Sequence, residues 1–568
     1  MQLDKPDNTP FNLITSPWIP AKRSSGKIEM ITPAQITEDH EHDPFVEVHS
    51  PRADLDACYT LFLIGLVQTA MPPKHGTNQW WGWLATPPSP TILREAFEPI
   101  RHAFELVGDG PCFMQELGGL EGSEVPITDL FVNAPGDNTR KENRDFFIKR
   151  SDELLSEEAA AIALYALQIN ASGGGNGYHT SIRGGGPLTT LVLGPTLWST
   201  VLANLLDDKE VDLEHGLPKD LSKIFLWLAP TRMSNPKENG VDTTPKDTHH
   251  LHHYWSMPWR ISLEPRRAPG SPCAIYNERQ GVFGSFIKTN HGTNYTGLWK
   301  HPLTPYRIKR DKKGNVDFIS LKANTRSIRY TNWPQIALVS ASTEDFHIAE
   351  AVRLLSERRL SGRAEKKKSK PYPWLSKRRT LWLFGYEMDK AKTLQWHDAR
   401  GPLLIEPDPE DPALAPLARM MIVTAERVEE TLYRAIRKVL CQKVIGKNGL
   451  NYTWDRAPDN APTRSSTHVA SILEAFWDET TPSFHDTLYE ASDLLDAGND
   501  LITDFDPQRE AWLTLLHRCA VALFDRQAPS EFAHLRDMRT HAAARSELVQ
   551  WTSPRGKRLR GEMGLTTL

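Results

Sequence analysis

Apolar residues recur at helical spacing along the last third of the chain. Steps of three and four residues place one set on a single face of a long helix. This set consists of Leu414, Leu417, Met421, Ala425, Val428, Leu432, Ile436 and Val439. Similar stripes occur near residues 466–477, 483–495, 508–525 and 532–551. Because helices bury such stripes by packing side by side, the sequence predicts a C-terminal four-helix bundle.

The first two thirds of the chain alternate between helical and strand-like patterns. Residues 57–71 form an apolar run typical of a buried helix, and a second helix is predicted over residues 151–167. Residues 188–193 have the character of a strand. The sequence therefore predicts an α+β fold class, with a large mixed α/β domain at residues 1–400 and the helical bundle at residues 401–568.

Two groups of glycines lie between that second helix and that strand. The first is Gly173, Gly174, Gly175, Asn176 and Gly177, and the second is residues 184–186. Ordering such a run is unfavourable because glycine loses the most backbone entropy on folding. A helix end followed by a wide turn would need only one glycine. The run favours a loop whose backbone enters a narrow space, such as a DNA minor groove about 6 Å wide.

The charge balance limits the kind of nucleic-acid binding that the chain can support. The 568 residues include 67 Lys or Arg and 71 Asp or Glu, a net charge of −4. This excludes a globally basic nucleic-acid binder but allows a local basic patch. Residues 358–379 are strongly basic and include Tyr372 and Trp374, which favours nucleic-acid contact over a solvated loop. The basic run at 555–560 is explained equally well as a frayed tail.

Several other protein classes lack support in the sequence. The five cysteines show no C-x-x-C spacing, so we expect no cysteine zinc site and a cytoplasmic, reducing environment. The N-terminus does not resemble a signal peptide, and no apolar run reaches the roughly 18 residues of a membrane span. Phosphate-loop, zinc-protease and nucleophile-elbow motifs are missing, so no cofactor and no catalytic cluster are predicted.

One histidine cluster leaves an alternative open. His249, His250, His252 and His253 follow Asp247, and imidazoles at such spacing can share a metal ion. No further ligand motif is near, so the favoured interpretation is a polar loop before a strand, with no metal. The alternative is a metal-dependent nuclease that uses these histidines with Asp242 or Asp247.

Six groups of local strings, taken in order, resemble one protein family. They are residues 12–14 with 17–20, 113–115, 131–133 with 135–136, 173–177 leading to 182–185, 297–299 with 301–302, and 384–392. In this order they are similar to the large subunit of Cascade, the type I-E CRISPR surveillance complex (the CasA family). The resemblance extends from about residue 11 to about residue 400, and the helical C-terminal part agrees with it in kind.

The resemblance implies a non-catalytic subunit in antiviral defence. Such a subunit sits at the 5′ end of the crRNA, reads the protospacer-adjacent motif (PAM) in double-stranded target DNA, and opens the duplex to start the R-loop. Its partners would be the crRNA, the target DNA and the backbone, small and crRNA-end subunits of Cascade. A helicase-nuclease recruited in trans would cut the DNA. A scaffold whose loops only pack against other subunits is a further alternative.

The resemblance also assigns roles to individual residues. Those matching the crRNA 5′-handle loop are Phe131, Val132 and Asn133. Those matching the PAM minor-groove loop are Gly173, Gly174, Gly175, Asn176 and Gly177, where Asn176 departs from the frequent Gly. Those matching the wedge that splits the first base pairs are Asp389, Lys390 and Ala391, where Lys390 departs from the Gln of some members. Other expected DNA contacts are Lys288, near the PAM, and Lys366, Lys367 and Lys368 in the basic run.

Overall fold

The α-helices and β-strands of the computed structural model alternate before residue 400 and give way to long helices after it. The structure describes residues 11–134, 153–175, 177–265, 271–338, 346–365, 379–406, 408, 411–440, 463–527 and 535–566. The α-helices are α1 Ala53–Ala70, α2 Gln79–Ala85, α3 Pro90–Phe97, α4 Glu157–Ile169, α5 Leu197–Ala203, α6 Thr325–Ile328, α7 Trp333–Ala337, α8 Glu350–Glu365, α9 Leu414–Leu440, α10 Thr467–Asp496, α11 Leu501–Asp504, α12 Asp506–Gln527, α13 Leu535–Trp551 and α14 Lys557–Glu562. The strands are β1 Ile19–Arg23, β2 Ile28–Ile31, β3 Phe45–Val48, β4 Glu124–Pro126, β5 Thr189–Leu193, β6 Asp242–Thr243, β7 Arg260–Pro265, β8 Phe283–Thr289, β9 Asn294–Tyr295, β10 Tyr306–Arg310, β11 Val316–Ser320, β12 Phe346–His347, β13 Thr380–Asp389 and β14 Lys392–Pro402. The predicted α+β fold class is confirmed.

The chain divides into two compact units. The first contains Met1–Ile328 and Ser342–Arg400, and the second contains Arg329–Ala341 and Gly401–Leu568. The segment Arg329–Ala341 is therefore part of the helical unit, although its position in the sequence precedes residue 400.

Aromatic packing explains why this segment joins the second unit. The ring of Tyr330 stacks on Phe484 with centroids 4.4 Å apart, and its hydroxyl lies 3.0 Å from the Thr480 hydroxyl. The Trp333 indole donates a 2.7 Å hydrogen bond to the Pro402 carbonyl. Both aromatic side chains are fully buried, and burial of this kind of surface stabilises a docked segment strongly.

The core of the first unit is centred on α1, which is buried over most of its length. The ring of Phe62 makes edge-on contacts with the aromatic rings of Trp18, Phe104, Tyr165 and Trp255, among others. The helix α4 packs against α1 and is also almost entirely buried. Because α4 ends at Ile169, the core fixes the point from which the first glycine group departs.

Small sheets surround this core. In one of them β5 pairs antiparallel with β13, from the Leu193–Thr380 pair to the Thr189–Phe384 pair, and β14 lies on the other side of β13. In another, β8 lies between β4 and β7. These two sheets hold, respectively, the predicted wedge residues and Lys288.

The second unit is built from four long helices, α9, α10, α12 and α13. Helix α9 packs against the other three, and α12 also packs against α10 and α13. The predicted stripe on α9 faces the interior, with Val439 at its end half-buried. The stripes near 466–477 and 483–495 belong to one helix, α10, which continues through Pro482. One proline removes a single main-chain hydrogen bond, and the packing of α10 on its neighbours compensates for that loss.

Candidate nucleic-acid interface

The strands β13 and β14 form a long hairpin whose turn is Lys390 and Ala391. Lys390 has φ +54°, the positive value that two-residue hairpin turns require. Asp389, Lys390 and Ala391 are all exposed, whereas Leu383 in the same hairpin is fully buried. The three predicted wedge residues therefore lie together at an exposed tip that a buried strand supports.

The first glycine group lies directly beside this tip. The Ser172 hydroxyl donates a 3.2 Å hydrogen bond to the Ala391 carbonyl oxygen. A Cβ atom on Gly174 would lie 2.6 Å from the Ala391 Cβ, which is too close for any side chain. The structure thus brings together the predicted minor-groove loop and the predicted wedge.

The glycines of this loop are required for different structural reasons. Gly177 has φ +81°, and a Cβ there would lie 2.7 Å from the His291 ring nitrogen Nδ1. Gly174 is likewise required by a contact within the chain. Gly175 has φ +71° but no atom within 4 Å of its Cβ position, so its surface is open. Asn176 lies outside the described residues. The sequence predicted that all these glycines let the backbone enter a narrow space outside the chain. Among the described glycines of this loop, only Gly175 faces open space.

The second glycine group also serves a close approach within the chain. Gly186 has φ +62°, and a Cβ there would lie 2.7 Å from the Tyr386 carbonyl oxygen. A Cβ on Gly385 would lie 2.5 Å from the Pro187 carbonyl oxygen. The backbone of Gly186 and Pro187 therefore packs tightly against β13, which fixes the hairpin relative to the glycine loop.

Lys288 is connected to the glycine loop by contacts through two aromatic rings. Its Nζ atom is 5.8 Å from the centroid of the Trp259 ring, and that ring contacts Tyr178 with centroids 5.1 Å apart. The carbonyl of Tyr178 accepts a 3.2 Å hydrogen bond from the Gly174 amide. Lys288 itself is half-buried. Lys366, Lys367 and Lys368 lie outside the described residues.

The predicted handle loop contacts the same hairpin from another direction. The Thr393 hydroxyl, on β14, donates a 2.8 Å hydrogen bond to the Val132 carbonyl. The Arg52 guanidinium lies 4.5 Å from the centroid of the Phe131 ring and donates a 3.2 Å hydrogen bond to Asn133 Oδ1. Arg52 is not predicted from the sequence, because no motif marks it as a functional residue.

A buried carboxylate holds Arg52 in this position. Arg52 donates two hydrogen bonds to Asp54, from Nε at 3.0 Å and from Nη2 at 2.6 Å, and the Tyr386 hydroxyl donates to Asp54 at 2.5 Å. Burial raises the pKa of Asp54, but the bonds and charge of Arg52 outweigh this effect and hold it below its ordinary value. Between Arg52, Asn133 and Thr393 lies a groove of about 280 Å³ that Trp396 also lines.

Two of the four clustered histidines, His252 and His253, lie in the core and not in the polar loop that the sequence favoured, whereas His249 and His250 are half-buried. Residues His250–Tyr254 form a short 3-10 helix. The two ring nitrogens of His252 lie 2.8 Å from the Ile224 carbonyl oxygen and 2.9 Å from the Tyr295 hydroxyl. Burial lowers the pKa of His252 to about 4, and burial with the nearby His250 lowers that of His253 to about 3, so both rings are neutral at pH 7. Among the described residues, no three His, Cys, Asp or Glu are grouped so as to hold a metal ion.

Of the two predicted basic runs, the one at residues 555–560 lies within the described residues, whereas most of 358–379, with Tyr372 and Trp374, lies outside them. The basic C-terminal run is not a frayed tail, because α14 buries Leu559 and the Arg560 side chain donates a 2.9 Å hydrogen bond to Glu510. Arg555 and Lys557 remain exposed. The helices in the described part of the chain include none long and apolar enough to cross a membrane.

The fold is shared with solved structures of low sequence identity. The chain matches Cse1 from Acidimicrobium ferrooxidans with a TM-score of 0.70 and 16% identity, covering 99% of this chain and 100% of that one. It matches CasA (Cse1) from Thermus thermophilus with a TM-score of 0.64 and 17% identity, covering 95% and 99%. It also matches a chain in a structure titled CRISPR RNA-guided surveillance complex, with a TM-score of 0.59 and 15% identity, covering 95% and 99%.

A family comparison spans most of the sequence. The model of the family described as CRISPR-associated protein Cse1 matches residues 12–523. This range includes the glycine loop, the hairpin, the long helices α9 and α10, and α12 as far as residue 523. The chain therefore belongs to the CRISPR-associated protein Cse1 family, the family of Cascade large subunits that its ordered sequence strings resemble.

Proposed function

We propose that this chain recognises the PAM in double-stranded DNA within a crRNA-guided complex and opens the adjoining duplex to start R-loop formation. The contact between the glycine loop and the hairpin tip is the observation that supports this most directly. Because Ser172 is bonded to Ala391, a duplex whose minor groove receives the loop meets the tip at the same time. Reading the flank and opening the first base pairs then become one event.

The glycine loop supplies the groove contact in this proposal. Gly175 presents bare backbone to open space, and a minor groove about 6 Å wide admits backbone more readily than side chains. Lys288 lies behind the loop and adds positive charge near the phosphates. Asn176 would add a side-chain amide beside the base edges.

The hairpin tip supplies the wedge. Asp389, Lys390 and Ala391 project from a strand that is fixed on both sides, so the tip resists displacement by the stacked bases. Unstacking a base step requires a few kcal/mol, which new contacts to the separated strands offset. Lys390 would make one such contact, with a phosphate. Lys366, Lys367 and Lys368 are proposed as further backbone contacts.

In this proposal the handle loop docks the chain at the 5′ end of the crRNA. Phe131 would stack on a splayed nucleotide, and Asn133 would bond to its polar atoms. This chain shares its fold with a chain of a CRISPR RNA-guided surveillance complex, which supports crRNA and neighbouring subunits as partners. In this proposal the chain is non-catalytic, and a helicase-nuclease recruited in trans cuts the DNA.

The test compares guide-RNA complexes assembled with and without this chain. Electrophoretic-shift binding is measured on duplexes that share the target and differ only in the flanking trinucleotide, at a fixed salt concentration. We expect flank-dependent binding only when the chain is present. Equal binding to every flank would refute PAM recognition and favour a scaffold. Metal-dependent cleavage by the isolated chain would favour the nuclease alternative instead.

A further inference from the structure

The side-chain amide of Asn133 has a defined orientation. Its Oδ1 accepts a hydrogen bond from Arg52 Nη2 at 3.2 Å. An arginine side chain has donors only, so the opposite orientation of the amide would place NH₂ against NH₂. Arg52 therefore selects the orientation in which Nδ2 points away from the guanidinium. Within the described part of the chain, no group accepts a hydrogen bond from Nδ2, and the Asn133 side chain is exposed.

Arg52 is itself held rigidly. Its bidentate pair with the buried Asp54 fixes the plane of the guanidinium, and the guanidinium carbon lies over the Phe131 ring, 4.5 Å from its centroid. Asp54 is in turn bonded to Tyr386 of the hairpin. A donor presented by such a framework loses little conformational entropy when it binds, so its hydrogen bond contributes more to affinity than one from a mobile side chain.

We propose that Arg52 is a positioning residue that turns the Asn133 NH₂ group toward a hydrogen-bond acceptor in the crRNA 5′ handle. The inference rests on the proposed docking of the handle and adds the chemistry of the contact. The nucleotide position facing Asn133 must offer an acceptor, which is either a base carbonyl or ring nitrogen, or a phosphate oxygen. If the acceptor is a base atom, a base that presents a donor at that point would be rejected.

Asn133→Asp separates this role from a purely structural one. An aspartate keeps the oxygen that faces Arg52, and its charge strengthens that pair. It removes both donors, however, and brings a negative charge to the RNA. If Asn133 only partners Arg52, the aspartate variant loses affinity only through its charge, and each modified handle position weakens it as much as it weakens the native chain. If its NH₂ group binds the handle, the aspartate variant should be at least as impaired as Asn133→Ala.

The experiment measures the affinity of the full chain for guide-RNA complexes assembled without it. The variants are Asn133→Ala, Asn133→Asp, Arg52→Gln and Arg52→Lys, with Arg101→Gln as the control for loss of an arginine. Arg52→Lys keeps a positive charge beside Asp54 but lacks the planar fork. Thermal melting of each variant confirms that it is folded. The handle RNAs are the natural sequence, a series with one abasic position each, and a series with one methylphosphonate each.

We expect Asn133→Ala, Asn133→Asp and both Arg52 variants to weaken binding by about 3- to 10-fold, the value of one hydrogen bond. Modifying one particular handle position should weaken binding of the native chain by a similar factor. The same modification should not weaken binding of Asn133→Asp any further. An abasic position of this kind identifies a base acceptor, and a methylphosphonate position identifies a phosphate. If Arg52 were purely structural, its variants would bind the natural handle and each modified handle with the same affinity ratio as the native chain does.

Two results would overturn the inference while leaving handle docking intact. One is native affinity of Asn133→Asp together with loss of binding when the handle is deleted. The other is unchanged binding of folded Arg52→Gln and Arg52→Lys while Asn133→Ala weakens it. Binding that does not depend on the handle at all would instead refute the proposed docking, and the inference would fall with it.

Discussion

Ser172 and Ala391 are joined by a hydrogen bond from the serine hydroxyl to the alanine carbonyl oxygen, 3.2 Å long. The bond links the start of the glycine loop to the turn of the hairpin, two segments that are far apart in the sequence. Gly174 lies against the same alanine. The two elements that the proposed function needs at a DNA junction are therefore neighbours before any DNA is bound.

Removing the charged tip should impair duplex opening more than binding. The double variant Asp389→Ala with Lys390→Ala shortens two exposed side chains at the turn. We expect slower opening of a fully paired target, with affinity for a target already unpaired beside the PAM reduced by less than about 3-fold. Opening is followed with a fluorescent base next to the PAM. The control is Lys219→Ala, another exposed lysine of the first unit. Equal losses on paired and unpaired targets would contradict the wedge.

Replacing Gly175, the glycine that faces open space, should affect DNA binding more than it affects stability. Gly175→Ala introduces a Cβ at φ +71° with nothing within 4 Å, so the backbone strain costs about 1–2 kcal/mol. Gly118→Ala is a matched control, because Gly118 has φ +84° and is equally open. Both variants should melt at similar temperatures. Only Gly175→Ala should weaken binding to duplexes that carry the PAM, measured against a flank without it.

Two carboxylates at the start of α1 should respond to pH in opposite directions. Burial raises the pKa of Asp56 to about 6, whereas the Arg52 pair overcomes burial and lowers that of Asp54. For Asp56 the stabilising contribution is present at low pH and is lost as pH rises toward 6. Asp56→Asn should therefore gain stability relative to the native chain between pH 4 and pH 7, by about 2–3 kcal/mol.

The matching variant at Asp54 should show the reverse. Its ionised form is favoured in the folded chain, so its contribution is present at neutral pH and is lost as pH falls through its lowered pKa. Asp54→Asn should be most destabilising near pH 7 and least so in acid. Thermal melting across pH 2–7 measures both variants, because the Asp54 contribution changes only below about pH 4 and the Asp56 contribution above it. Parallel pH profiles for the two variants would contradict the assigned environments.

The bond between the handle loop and the hairpin should be measurable by hydrogen exchange. Thr393→Val keeps the shape of the side chain but removes the donor to the Val132 carbonyl, 2.8 Å away. We expect a local destabilisation of about 1 kcal/mol and faster amide exchange around residues 131–134. Thr431→Val, which removes a bond within one helix of the other unit, is the control. Unchanged exchange at 131–134 would show that the loop does not depend on this bond.

The sequence predicted the helices and strands of this protein better than the contacts between them. The stripe from Leu414 to Ile436 is buried as predicted, because helical periodicity is written in consecutive residues. The strings that resemble the family are also short runs of consecutive residues, and the match to the Cse1 family model confirms the predicted family. The single helix through Pro482 was wrongly divided, because a proline usually marks a helix end and only packing on neighbouring helices overrides that preference.

What the sequence determined by itself is the fold class, the helical C-terminal region and the family, since these depend on local periodicity and on ordered motifs. Only the tertiary structure decided that Gly174 accommodates Ala391, that Arg52 orients Asn133, that Tyr330 belongs to the helical unit and that His252 is a neutral core residue. Each of these depends on contacts between residues distant in the chain. Such contacts are set by close packing of the whole core, which no local pattern encodes.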